Sequence, residues 1–141
     1  MINAFITTKT VRFEHCDPAG LIFYPRYFQL SHQVIEDWFE DGLGHSHADL
    51  VVNQRIGIPT VHVEASFLAA SRLEEILEYT LQVEKLGNSS VNLNIEAHHN
   101  NELRCQIKQV IVFSQLDPQD VKSMPIPDEI RTQMQNFLRI E

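Results

Sequence analysis

From Thr60 to Ile111 the sequence runs with a period of two. Val61, Val63, Ala65 and Phe67 fall on one side of an extended run, with His62, Glu64 and Ser66 on the other. Leu77, Tyr79, Leu81 and Val83 alternate with Glu78, Thr80, Gln82 and Glu84. Val91, Leu93, Ile95 and Ala97 alternate with Asn92, Asn94 and Glu96, and Leu103, Cys105, Ile107, Gln109 and Ile111 share a face. Successive side chains of a strand point to opposite faces, so this spacing predicts strands with one apolar and one polar side. Gly87-Asn88 and Asn100-Asn101 separate the runs and supply residues that tolerate positive φ. An antiparallel sheet with one buried face follows. A looser alternation from Phe5 to Phe13 predicts one more strand at the start of the chain.

The buried face needs a cover, and the sequence offers one long candidate. From Tyr24 or Pro25 to about Asp41, Tyr24, Tyr27, Phe28, Val34, Ile35, Trp38 and Phe39 recur at helical spacings. Pro25 suits a first helical turn, where its missing N–H would be unpaired anyway, and Gly42 and Gly44 end the run. Residues 118–127 read as a polar, proline-rich connection, and Ile126 to Leu138 as a short C-terminal helix. The order is strand, long helix, then four strands. The expected fold is α+β, a curved antiparallel sheet wrapped around a long central helix, in one domain spanning residues 1–141. Its edge strands invite pairing with a second copy.

Charge and cysteine usage narrow the function. A net charge of −8 repels phosphate backbones and argues against nucleic acid as a partner. No apolar run is long enough to span a membrane, and the N-terminus lacks the pattern of a signal peptide. Cys16 and Cys105 have neither metal-ligand nor CxxC spacing, so a reduced, cytoplasmic setting is the default. His45, His47 and Asp49 stand close together, but H-x-H is a weak metal signal without a further ligand at helical spacing, and no metal is expected.

The candidate chemistry lies in residues 12–28, RFEHCDPAGLIFYPRYF. Asp17-Pro18-Ala19-Gly20 carries the usual turn residues and can be only a turn. It also places an ionisable acid just ahead of a helix N-terminus, the arrangement that serves chemistry in which charge develops. Cys16 reads as a packed thiol and His15 as a surface loop residue. Arg72, Lys85, Arg104 and Lys108 read as solvated strand charges that could still meet phosphates.

The string from His15 to Gly20, followed by Phe23-Tyr24-Pro25 and Tyr27-Phe28, resembles the hot-dog-fold thioesterases, and within them the 4-hydroxybenzoyl-CoA thioesterase family. Weaker likeness continues at Gly57-Ile58-Pro59, Ala65-Ser66-Phe67 and Gln109 to Phe113. The resemblance implies an acyl-CoA thioesterase that needs no cofactor. It makes Asp17 the catalytic carboxylate, as nucleophile or general base, and Tyr24 the donor of a backbone N–H to the thioester oxygen. It implies a homotetramer, a dimer of dimers, with active sites at subunit interfaces. The positions expected to face the substrate are His32, Pro25, Thr60 and Lys122. His32 stands where the best-known branch has an acid that reads a phenol hydroxyl. Ser46 replaces a tryptophan, and Leu86 and Asn88 replace basic residues that hold the CoA nucleotide. These departures admit a thioesterase acting on a carrier protein, or a non-catalytic acyl-thioester-binding subunit.

Overall fold

The computed structural model describes residues 3–140. Strand β1 (Phe5–Thr10) leads through a short 3-10 turn at Phe13–His15 to helix α1 (Pro25–Asp37). The helix widens into a π turn at Trp38–Gly42, and a second such turn spans Asp49–Asn53. Strands β2 (Ile56–Gly57), β3 (Thr60–Phe67), β4 (Ile76–Leu86), β5 (Ser90–His99), β6 (Glu102–Val112), β7 (Ser114–Asp117) and β8 (Asp120–Ser123) follow, then helix α2 (Asp128–Gln135). The main sheet is antiparallel throughout, in the order β1-β4-β5-β6-β3. Asn100 and Asn101 adopt φ of 49° and 65° at the β5–β6 turn, as asparagines there predict.

The sheet wraps α1, which is the hot-dog arrangement. Leu30, Val34, Ile35, Trp38 and Phe39 of the helical segment are buried against Leu77, Tyr79, Leu81, Val83, Leu93, Ile95 and Ile107 of the sheet. The register puts these inward residues opposite one another, Leu81 with Ile95 and Ile95 with Ile107. Register shifts at Val83/Lys85, Ala97/His98 and Thr60/His62 interrupt the ladders, and irregularities of this kind bend a sheet. The helix ends at Gly44, whose φ of +77° lets His45 N donate to the Phe39 carbonyl at 2.8 Å. No helix among the described residues is long and apolar enough to cross a membrane.

The fold departs from the sequence reading in three places. β3 buries neither face: Val61, Val63 and Phe67 are 61, 42 and 46% exposed. It is an edge strand: Phe67 meets the α1 rings of Tyr27 and Phe28, but Val61 and Val63 stay exposed. Residues 118–127 are no mere connection. Asp117 Oδ1 accepts from Gln119 N at 2.9 Å, closing a turn that pairs β7 with β8, and β2 adds a third strand to this small sheet. Pro118 sits in the turn of that hairpin and Pro125 and Pro127 follow it, so no proline lies within its strands. Finally, α2 stops at Gln135 rather than Leu138. β1 begins at Phe5 opposite Leu81, which leaves the edge of Val83 to Phe137 O and Arg139 N, and both bond Val83 there.

The close packing of Gly42 gives a direct test of the core. A Cβ at this position would stand 2.7 Å from Trp38 Cδ1 and 3.3 Å from Phe137 Cζ. Trp38 is fully buried and cannot yield without disturbing Phe39 and Phe137, whose rings it meets edge-on. Gly42→Ala is expected to cost about 1–3 kcal/mol of stability, read as a lower denaturant midpoint at unchanged slope.

Candidate active site

The turn at Asp17 is built around its own side chain. Asp17 N donates to Leu21 O at 2.9 Å and Gly20 N donates to Asp17 O at 3.0 Å, while Cys16 and Ile22 form an antiparallel bridge behind them. Gly20 has φ +78°, a conformation that costs other L-residues energy. Asp17 Oδ1 accepts from Ala19 N at 2.9 Å and from Leu21 N at 3.2 Å. The half-buried carboxylate is thus oriented by two backbone donors that leave Oδ2 unspent. Turn and aimed acid are one structure here, not alternatives.

His15 is not the surface residue the sequence suggests; it is buried. Its Nδ1 accepts from Arg12 N at 2.9 Å, and its carbonyl accepts from Phe23 N at 3.0 Å. Burial holds its pKa below the ordinary 6.5, against the pull of Glu14, with Arg26 and Arg12 adding to the fall. The His15 ring, through Arg12 N, and its carbonyl, through Phe23 N, therefore tie the segment after β1 to the approach to α1. Cys16 keeps its proton: burial and then Asp17 raise its pKa, and Sγ donates to Arg12 O at 3.5 Å. Burial pushes the Cys105 thiol up to about 12. Neither cysteine has the electropositive surroundings a nucleophile needs.

At the start of α1, Arg26 N donates to Phe23 O at 2.8 Å, and Pro25 at the first position has no N–H to give. Tyr24 N makes no hydrogen bond among the described residues, so an unspent donor remains at the positive end of the helix. Beside it lies a cleft of about 340 Å³ lined by Ile22, Tyr24, Tyr27, Phe67, Leu68 and Ser71 among others. The rings of Tyr24 and Tyr27 lie 5.9 and 5.5 Å from that of Phe67. Asp17 borders this cleft through the Cys16–Ile22 bridge but does not line it.

A polar network backs the cleft, and the sequence alone did not reveal it. Tyr27 OH donates to Ser71 Oγ at 2.8 Å, and Arg104 Nη1 reaches the same oxygen at 3.4 Å and Ala70 O at 2.7 Å. Arg104 also holds Glu75 through Nη1 at 2.9 Å and Nη2 at 3.2 Å. It is therefore a buried structural cation, not a solvated strand charge free to meet a phosphate. Its place on β6 between the inward Leu103 and Cys105 predicts an outward side chain; only the packing of residues 70–75 over that end of the sheet buries it.

The other anticipated substrate positions are dispersed within one chain. Pro25 is half-buried at the helix start. Thr60 Oγ1 accepts from Gln109 Nε2 at 2.7 Å. His32 lies on the exposed side of α1, where Nε2 meets Glu36 Oε1 at 2.9 Å. Lys122, on β8, is largely exposed, with Asp120 at 3.9 Å. His45, His47 and Asp49 do not converge. His45 turns to Glu129 at 3.7 Å, Asp49 accepts from Asn53 and Gln54 at 2.8 and 2.7 Å, and His47 meets His32. A larger hollow of about 1160 Å³ lies on the outer sheet face, but Glu74, Glu75, Glu78 and Glu96 line it. That lining repels phosphate-bearing ligands.

Comparison with known proteins agrees with this fold. The chain is 26% identical over 132 residues to the 1,4-dihydroxy-2-naphthoyl-CoA hydrolase of Acaryochloris marina, covering 92% of this chain and 95% of the relative. It is 29% identical over 136 residues to the enzyme of the same name from Prochlorococcus marinus strain MIT 9515, covering 89% and 85%. Among solved structures, the 1,4-dihydroxy-2-naphthoyl-CoA thioesterase from Synechocystis superposes with TM-score 0.83 at 19% identity, over 93% of this chain and 95% of that one. A 4-hydroxybenzoyl-CoA thioesterase variant in complex with 4-hydroxybenzoyl-CoA superposes with TM-score 0.82 at 18% identity, over 94% and 99%. The thioesterase-like superfamily matches residues 11–134, nearly the whole of the fold just described, and this chain belongs to it as a hot-dog thioester hydrolase.

Proposed function

We propose that this protein hydrolyses the thioester of aromatic acyl-CoAs, with Asp17 as the catalytic carboxylate and the Tyr24 N–H as an oxyanion donor. One observation carries the reading: a carboxylate oriented by two backbone N–H groups precedes a helix whose first free donor is unspent. A thiolate leaves readily, so hydrolysis needs an oxygen nucleophile and a stabilised oxyanion more than a strong acid. An Asp17 oxygen can attack the carbonyl carbon, releasing CoA thiolate and leaving a mixed anhydride that water then opens. Alternatively Asp17 takes a proton from the attacking water. A single well-aimed donor such as Tyr24 N contributes roughly 3–4 kcal/mol to such a transition state.

The aromatic acyl group is supported by the ring-lined cleft of Tyr24, Tyr27 and Phe67 and by the substrates in the relatives' names. We assign His32, exposed on α1, to the polar end of such a group, and Lys122, 3.9 Å from Asp120 and largely exposed, to the nucleotide. Thr60 and Pro25 are proposed as further contacts. We read the working form as a homo-oligomer, a dimer that pairs again to a tetramer. Within one chain Asp17 does not line the Tyr24 cleft, and β3 carries Val61, Val63 and Phe67 exposed along an unpaired edge.

Thiol release tests the reading. The panel is 1,4-dihydroxy-2-naphthoyl-CoA, 4-hydroxybenzoyl-CoA, an aliphatic acyl-CoA, and one aromatic acyl group on a carrier protein. Turnover is expected to favour the aromatic CoA esters. Preference for the carrier-bound ester moves the assignment to carrier-protein substrates. Tight binding without thiol release makes the chain an acyl-thioester-binding subunit.

A further inference from the structure

We propose that His32, Glu36 and His47 form a site for a divalent transition-metal ion. One ring nitrogen of each histidine and one carboxylate oxygen of Glu36 lie within 4.8 Å of one another. His32 and Glu36 stand one turn apart on α1, which puts both side chains on one face. His47 comes from the loop after the helix and was not legible as their partner, because nothing in its spacing relates it to His32.

An ordinary helix-surface pair explains only part of this arrangement. The contact of His32 Nε2 with Glu36 Oε1 at 2.9 Å satisfies those two groups, but it leaves out His47. That ring is held firmly. It meets His32 edge-on at 5.9 Å and Phe39 at 6.5 Å, and its loop is fixed by Asp49 N donating to Ser46 Oγ at 3.0 Å and by buried Leu50. Yet His47 Nδ1 is buried and has no hydrogen-bond partner. A buried unpaired nitrogen is uncommon and costs stability. No hydrogen bond fixes the ring's tautomer, so the nitrogen that faces the cluster can be the one without the proton.

The donor set decides the class of ion. Two imidazoles and a carboxylate are the borderline ligands that suit Zn²⁺, Co²⁺ or Ni²⁺, whereas Ca²⁺ and Mg²⁺ prefer oxygen alone. Three protein donors leave a four-coordinate ion one position open. His32 and Glu36 line an open hollow with Phe28, Gln29 and Gln33, from which water or an oxygen of a bound ligand can reach that position. The site stands on these residues alone and does not depend on the thioesterase reading.

The test is calorimetric titration of Zn²⁺ into tag-free, metal-stripped protein, with Co²⁺ absorption as a second readout. Wild type is expected to bind one ion per chain and to give the visible bands of Co²⁺ held by nitrogen and oxygen. Removing a ligand should weaken binding by about 100-fold or more in His47→Ala and in His32→Ala. His32 is exposed, so its variant keeps the fold. His98→Ala, on the outer sheet face beside Glu96, should bind as wild type does. The proposal is overturned if wild type shows no saturable binding, if both ligand variants bind as tightly as wild type, or if loss of His98 abolishes binding.

Discussion

Asp17→Asn is expected to lower kcat for an aromatic acyl-CoA by about 10²–10⁴-fold, the range that a positioned acid or base contributes. The substitution isolates chemistry from structure. The asparagine carbonyl can still accept from Ala19 N and Leu21 N, the two bonds that hold Oδ1 now, so the turn and the helix start keep their form. What is lost is the charge, and with it the ability to attack a carbonyl or to take a proton from water. Melting temperature and KM should change little while kcat falls, which marks an interaction made in the transition state. Asp17→Ala would be a poorer test, because it also releases both backbone donors and loosens the segment that His15 ties to Phe23. Turnover within about twofold of wild type in the asparagine variant would remove Asp17 from the mechanism.

The architecture was readable from the sequence wherever its cause was local. The period of two across β4, β5 and β6 reports one buried face directly, since α1 covers those strands. Asn100-Asn101 and Pro25 act through their own backbone preferences, and both stand where those preferences put them. The Asp17 turn was visible for the same reason: donors and acceptor lie within a few residues of one another. What escaped depends on distant parts of the chain. β3 has the alternation of a half-buried strand, but it lies at the sheet's edge, where Val61 and Val63 stay exposed. The β7–β8 hairpin was hidden because prolines read as breaks unless the strands beside them are seen to pair. His15 looked exposed because a polar loop residue carries no sign of the backbone N–H that will bury it. His32 and His47 converge only because the chain reverses at Gly44.

Arg104 belongs to this second class, and it gives the largest stability effect expected of a polar substitution. Arg104→Met preserves much of the side-chain volume but strands Glu75, Ala70 O and Ser71 Oγ, which now share the guanidinium. The loss should be about 2–3 kcal/mol at neutral pH, since hydrogen bonds to charged groups are the strong ones and the partner carboxylate stays only a fifth exposed. The loss must also depend on pH in a fixed sense. The Arg104 hydrogen bond holds the Glu75 carboxyl below its ordinary 4.5, outweighing the opposing effect of burial, with Arg72 N and His99 adding to the fall. A carboxyl depressed in the folded state stabilises fully above its unfolded pKa and less as pH falls through the folded value. Wild type therefore loses this contribution below pH 4.5, whereas the methionine variant has lost the largest part of it already and keeps only what Arg72 N and His99 supply. Chemical denaturation across that range should show the two proteins converging as pH drops. A gap that stays constant would mean the methionine variant suffers from packing alone, and that the Arg104–Glu75 pair contributes no charge-dependent stability behind the cleft.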